Sequence, residues 1–172
     1  VDQDGNLTTY AFDNADRLTL VTADQVLQIG TGYGYDKDSN LTRVLDPRNN
    51  ETTYGFDLLG RATTLTQSDG TSYTYTYNSR GDLYRVNHPT GTIVNHAVDE
   101  LGRLFRTTFT LGADVEGTTL QEFEYDWNSR LTKATDNNGT GTADDVDARY
   151  EYDAVGRVTK EKQKLGAGAF KE

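Results

Sequence analysis

The sequence has no cysteine and no methionine, only two prolines and two histidines, and 17 cationic side chains against 27 acidic ones. Without cysteine there is no disulfide, no zinc–thiolate site and no thiol nucleophile, and the redox character of the compartment leaves no trace. The net charge of −10 disfavours any partner held mainly through phosphates, which sets aside nucleic acid and an anionic membrane surface. No apolar run approaches the roughly 20 residues that a spanning helix needs, and the first residues lack a signal-peptide pattern. Direct membrane insertion is therefore not expected. Translated chains ordinarily begin with methionine and this one begins with Val1, so we expect a stretch of a larger protein whose targeting signals lie elsewhere. Helical periodicity is missing along the whole chain.

What is present is tyrosine (11 residues) and glycine (17 residues) in a chain that is 34% hydrophobic. The apolar content sits in aromatic, β-branched and leucine positions, which suits half-buried strands. Its arrangement is periodic. YAFDNADRLT starts at Tyr10, YGYDKDSNLT at Tyr33, YGFDLLGRAT at Tyr54, YTYNSRGDLY at Tyr75, HAVDELGRLF at His96, FEYDWNSRLT at Phe123 and YEYDAVGRVT at Tyr150. The acidic slot holds Asp13, Asp36, Asp57, Asn78, Asp99, Asp126 and Asp153, at spacings of 23, 21, 21, 21, 27 and 27 residues. Residues 1–172 thus read as one array of seven units, and a repeat of this period means one supersecondary unit per copy.

Each unit has the parts of a hairpin. The aromatic slots stand two apart, so on a strand Tyr54 and Phe56, or Tyr150 and Tyr152, share a face. Asp57 and Asp153 begin a turn in which the carboxylate accepts backbone N–H groups, and Gly60 and Gly156 supply the positive φ. Asp16, Ser39 and Ser129 stand in that glycine position, so we expect those turns to differ in type. A second strand follows, led by Leu18, Leu41, Ala62, Leu83, Leu104, Leu131 or Val158, and breaker clusters such as DPRNN at Asp46 return the chain. The expectation is an all-β antiparallel meander of repeated hairpins, about fourteen strands long. Leu41 and Val44, and Leu83 and Val86, are three apart, which strict alternation splits between faces; a bulge or a doubly covered sheet would reunite them.

The unit Y-x-[YF]-D-x-x-G-R-[LV]-T resembles the YD repeat of Rhs (rearrangement hotspot) proteins, Tc-toxin cocoon subunits, wall-associated polymorphic toxins and teneurins. The resemblance runs from residue 1 to about residue 162. It implies a segment of a β-spiral or hollow shell, often around a C-terminal toxin, in a protein that is secreted or at the cell surface. In bacterial members an aspartate-containing segment at the end of the shell cleaves the chain. The strings DPRNN at Asp46 and VNHPTG at Val86 read as inter-repeat turns, and the protease is not carried over. Arg17, Arg61, Arg103, Arg130 and Arg157 match the arginine slot of the repeat, while Asn40 and Asp82 depart from it.

Catalysis needs one differentiated constellation, and near-copies of an Asp–Arg pair do not supply it. The pair is read as a turn-capping aspartate and an arginine lying over the tyrosines of a neighbouring repeat. His88 and His96 have no nucleophile or metal partner marked beside them, and Trp127 is read as a turn aromatic docking on an adjacent repeat. No enzyme is expected and no cofactor is required. The stretch 136-DNNGTGTADDVD-147 differs from the rest. Asp136, Asn138, Thr140, Asp144 and Asp147 fall close to the oxygen-ligand spacing of a calcium loop, with Gly141 at the bend. The other reading is a polar insertion that lengthens this repeat.

The function expected is structural: a scaffold whose partners are neighbouring repeats, enclosing a toxin-like passenger or spacing surface domains. The alternative is a recognition module in which exposed rows of Tyr and Arg bind a surface glycan or protein. Tyrosines packed beneath other side chains favour the wall, and an exposed aromatic ladder favours the module.

Overall fold

In the computed structural model, the residues described are 7–23, 29–137, 145–166 and 168–171. All the regular structure in them is strand: β1 (Thr8–Phe12), β2 (Leu18–Ala23), β3 (Ile29–Tyr35), β4 (Leu41–Leu45), β5 (Glu51–Phe56), β6 (Ala62–Thr66) and β7 (Ser72–Tyr77). They continue with β8 (Leu83–Asn87), β9 (Ile93–Val98), β10 (Leu104–Thr110), β11 (Leu120–Tyr125), β12 (Leu131–Asn137), β13 (Val146–Tyr152) and β14 (Val158–Leu165). The strand order is the sequence order, and the pairings are antiparallel, as a meander of hairpins requires. Every expected second-strand leader opens its strand. By packing the chain divides into two units, Val1–Tyr75 and Thr76–Glu172.

In the first unit, the register fixes which side chains share a face. Tyr10 stands opposite Val21, Tyr33 opposite Val44 and Tyr54 opposite Leu65. Phe12, Tyr35 and Phe56 stand opposite the leaders Leu18, Leu41 and Ala62. The register slips by one residue between these two rows, so Thr19, Thr42 and Thr63 are the extra residues of a β-bulge. That slip puts Leu41 and Val44 on one face despite their odd spacing. The bulge, and no second cover, resolves the conflict in the sequence pattern.

The second unit repeats the scheme. Leu104, Leu131 and Val158 pair with Val98, Tyr125 and Tyr152, and Phe105, Thr132 and Thr159 are the bulged residues. The opposite face is polar, with Arg106 paired to Glu122 and Lys133 to Glu124. Among the described residues only Thr92, Val94, Thr107, Ala148 and Gly166 are buried. Thr92 and Val94 lie where the 111–119 insertion folds back, its Gly112 N–H donating to Thr92 Oγ1 at 3.1 Å. A sheet this thin leans on contacts between adjacent repeats, as quasi-one-dimensional arrays do.

The repeat junction as candidate functional site

The site begins with the turn. Asp57 N–H donates to the Arg61 carbonyl and Gly60 N–H to the Asp57 carbonyl, both at 3.0 Å. This is a type I turn closed by a residue at positive φ. Gly60, Gly102 and Gly156 occupy that position with φ of 73°, 79° and 89°. Contrary to expectation, the turns lacking glycine do not differ in type: Asp16, Ser39 and Ser129 adopt φ of 58°, 68° and 62° with the same hydrogen bonds. Asn49, Gly70 and Gly91 do likewise in the return turns. The bonding pattern forces the backbone, and the side chain accommodates it.

The carboxylate of Asp57 then closes the loop. Its Oδ1 accepts the N–H groups of Leu59 and Arg61, at 2.9 and 3.0 Å, and its Oδ2 accepts Arg61 Nε at 2.7 Å. Asp13, Asp99, Asp126 and Asp153 hold Arg17, Arg103, Arg130 and Arg157 in the same way. The Arg61 guanidinium, then the backbone N–H groups, hold the Asp57 carboxyl below its ordinary value of 3.8. At Asp126 burial pushes upward, and the Arg130 backbone and side chain outweigh it. These are ionised turn-closers, unsuited to proton transfer near neutral pH.

Three of these arginines, Arg17, Arg103 and Arg130, next reach forward by one repeat. Arg130 Nη1 donates to the Asp153 carbonyl at 3.1 Å, and its guanidinium lies 4.6 Å over the Tyr152 ring. Arg103 does the same to the Asp126 carbonyl and the Tyr125 ring, and Arg17 to the Asp36 carbonyl and the Tyr35 ring. The tyrosine answers in the reverse direction. Tyr152 Oη donates to the Leu131 carbonyl at 2.7 Å, Tyr125 Oη to Leu104 at 2.7 Å and Tyr35 Oη to Leu18 at 2.9 Å. The consensus residues Asp, Arg and the second aromatic thus form one latch, closed within a turn and between turns.

The departures from the motif are informative. In the fourth repeat the partners are exchanged: Asn78 Nδ2 donates to Asp82 Oδ2 at 2.9 Å. The forward contact is then made by Arg80, which reaches the Asp99 carbonyl with both Nη atoms at 3.3 Å. Sequence reasoning missed Arg80; the signal was an arginine two residues after the acidic slot, in the one copy where an acid fills the arginine slot. Asn40 takes the arginine slot by donating to Asp36 Oδ2 at 2.8 Å.

The remaining candidates are separate. Burial lowers the His96 pKa, and His96 Nδ1 sits 3.2 Å from Thr107 Oγ1. His88 opens a return turn by donating its N–H to the Thr92 carbonyl. Trp127 is exposed on a turn tip and does not dock on the adjacent repeat. Of the calcium-loop residues, Asn138, Thr140 and Asp144 lie outside those described. Asp136 accepts Thr118 Oγ1 at 2.6 Å and Gln121 Nε2 at 2.9 Å, and Asp147 pairs with Arg149 at 3.0 Å. Both line a cleft of about 450 Å³ with Glu122 and Lys164. Among the described residues no group of three or more acidic or histidine side chains is placed to hold a metal ion.

Comparison with known proteins accords with this geometry. The RHS Repeat family model matches residues 35–72. Over that stretch the sequence is similar to the Rhs repeat. Its fold is similar to the crystal structure of TcdB2-TccC3-Cdc42, with a TM-score of 0.74 at 15% identity over 93% of this chain and 9% of that one. TcdB2-TccC3 gives 0.72 at 16% identity, again over 93% and 9%. A Tc holotoxin pore of Photorhabdus luminescens carrying a TccC3 mutation gives 0.52 at 15% identity, over 93% and 11%. The chain therefore spans about a tenth of the solved chains it matches, and the likeness is one of fold. No curated protein matches the sequence.

Proposed function

We propose that this Rhs-repeat array is a stretch of structural wall, extended repeat by repeat, that encloses a passenger domain of toxin type in a secreted or surface protein. The observation that carries it is the latch. The residues that recur along the array are spent on joining one unit to the next, with Arg17, Arg103 and Arg130 lying over the tyrosine rings and the carboxylates bound in turns. The half-buried tyrosines speak against a recognition module, which needs its aromatic row exposed. The fold likeness to TcdB2-TccC3 supports the same reading. The test is limited proteolysis of the longest natural polypeptide that contains these repeats. A passenger that resists protease until the wall is unfolded agrees with the proposal; a passenger digested while the repeats remain intact overturns it.

Calcium at the 136–147 loop is a separate proposal. An ion there would have to draw Asp136 from Thr118 and Gln121, and Asp147 from Arg149. Calorimetric heat with calcium that disappears in Asp136→Asn supports it, and no heat with no change in melting removes it.

A further inference from the structure

Three of the five buried residues among those described, Thr92, Val94 and Thr107, lie on or beside β9 and β10, and a histidine stands among them. Thr107 is 2% exposed. His96 faces it across the pairing of the two strands, with Nδ1 3.2 Å from Thr107 Oγ1. The slot that His96 fills holds a neutral aromatic ring in the other six units, at Tyr10, Tyr33, Tyr54, Tyr75, Phe123 and Tyr150. Those rings do not change charge as the pH falls through the neutral range, whereas an imidazole takes up a proton there.

Among the described residues no opposite charge meets the ring. Its own strand, IVNHAV, has no other charged side chain. From β8 comes Arg85, which donates to Asn95 at 2.8 Å; Asn95 and His96 are successive strand residues, so that pair lies on the other face. From β10 comes Arg106, also on the other face and paired with Glu122 of β11 at 2.6 Å. On the His96 face the ladder runs through Thr107 to Gln121, whose amide donates to Asp136, a carboxylate three strands away. Asp99, in the turn after β9, is held by Arg103 at 2.7 Å. The 111–119 insertion meets the sheet at Thr92, and its Asp114 and Glu116 are exposed. A proton on the ring thus adds an uncompensated charge to half-buried surroundings, and burial already holds the His96 pKa below 6.5.

We propose that the β9–β10 joint is an acid-triggered opening point of the array, at which protonation of His96 parts the ring from Thr107 and frees these two strands ahead of the others. In a sheet whose repeats rest on their neighbours, such an opening stays local. The opened segment takes the proton more readily than the closed one. The joint is therefore shut above pH 6.5 and loosens as the pH falls through the lower folded value. The device belongs to the array itself and stands whether or not a passenger is enclosed.

The experiment is hydrogen exchange read by mass spectrometry on the longest natural polypeptide that contains these repeats, corrected for the intrinsic exchange rate. It compares about pH 8 with about pH 5, an interval in which His88 and His96 are the side chains that ordinarily change charge. Peptides covering β9 and β10 should lose protection at about pH 5, by up to about thirtyfold, the preference of an ordinary imidazole for its proton there. Peptides covering β11 and β12 should keep theirs. His96→Phe, with the ring that Phe123 places in the same slot, should abolish the pH dependence whatever its absolute protection. His96→Gln should do the same, so either variant decides even if the other folds poorly. His88→Gln should retain the effect. Protection of β9 and β10 that is indifferent to pH, or that falls equally in β11 and β12, overturns the inference. So does a pH dependence that survives both His96 variants or disappears in His88→Gln.

Discussion

Replacing the same motif arginine in two different repeats should have unequal consequences. In Arg130→Ala the protein loses the bond from Nη1 to the Asp153 carbonyl at 3.1 Å, the contact 4.6 Å over Tyr152 and the pairing with Asp126 at 2.6 Å. A hydrogen bond of this kind contributes about 1 kcal/mol, a cation–π contact about 0.5–1 and a half-covered ion pair about 0.5. The variant should therefore be destabilised by about 2 kcal/mol, which for a chain of this length lowers the melting temperature by about 4–8 °C. Arg157→Ala removes the same ion pair at 2.7 Å from an 81% exposed side chain, over which no ring lies among the described residues, and should cost about 0–0.5 kcal/mol. Differential scanning calorimetry measures both. Equal losses, or a larger loss for Arg157→Ala, would refute the claim that the arginine acts on the following repeat.

Two further outcomes follow from the turns. Gly102 holds φ of 79° and Asp16 holds 58° in the same turn position; Gly102→Ala should cost about 1 kcal/mol, and Asp16→Gly should stabilise by about 0.5 kcal/mol, both read from denaturant titration. The pH dependence has a definite sign. Asp57, Asp99, Asp126 and Asp153 sit below 3.8 in the folded protein, so their contribution is complete above that value and is lost as the pH falls through the lower folded values. His96 sits below 6.5 because burial disfavours its charge; its contribution is likewise present above 6.5 and lost on acidification through its folded value. His96→Gln should therefore flatten the melting-temperature profile just below pH 6.5 and leave the acid limb below 3.8 unchanged.

The sheet was legible because its signals are redundant. Leaders such as Leu41 and Leu131 follow an Asp-x-x-Gly step or its equivalent, and many copies of one pattern leave little freedom of assignment. The bulge at Thr42 was legible only as a conflict, the three-residue spacing of Leu41 and Val44, because a slip in register has no residue code of its own. The turns at Asp16, Ser39 and Ser129 looked different because glycine was missing, yet backbone hydrogen bonds fixed their geometry. The role of the arginine over a neighbouring tyrosine could be read from the repeated pairing. The compensation by Arg80 could not, since it depends on two turns lying side by side in space. The same applies to the 111–119 insertion, which read as a loop and which buries Thr92 through Gly112.

The central claim is that the repeated motif couples one repeat to the next. A double-mutant cycle between Arg130→Ala and Tyr152→Leu tests it most directly, because the two side chains belong to different repeats and meet at 4.6 Å. The account predicts a coupling of about 0.5–1 kcal/mol between them. Strictly additive losses would contradict it.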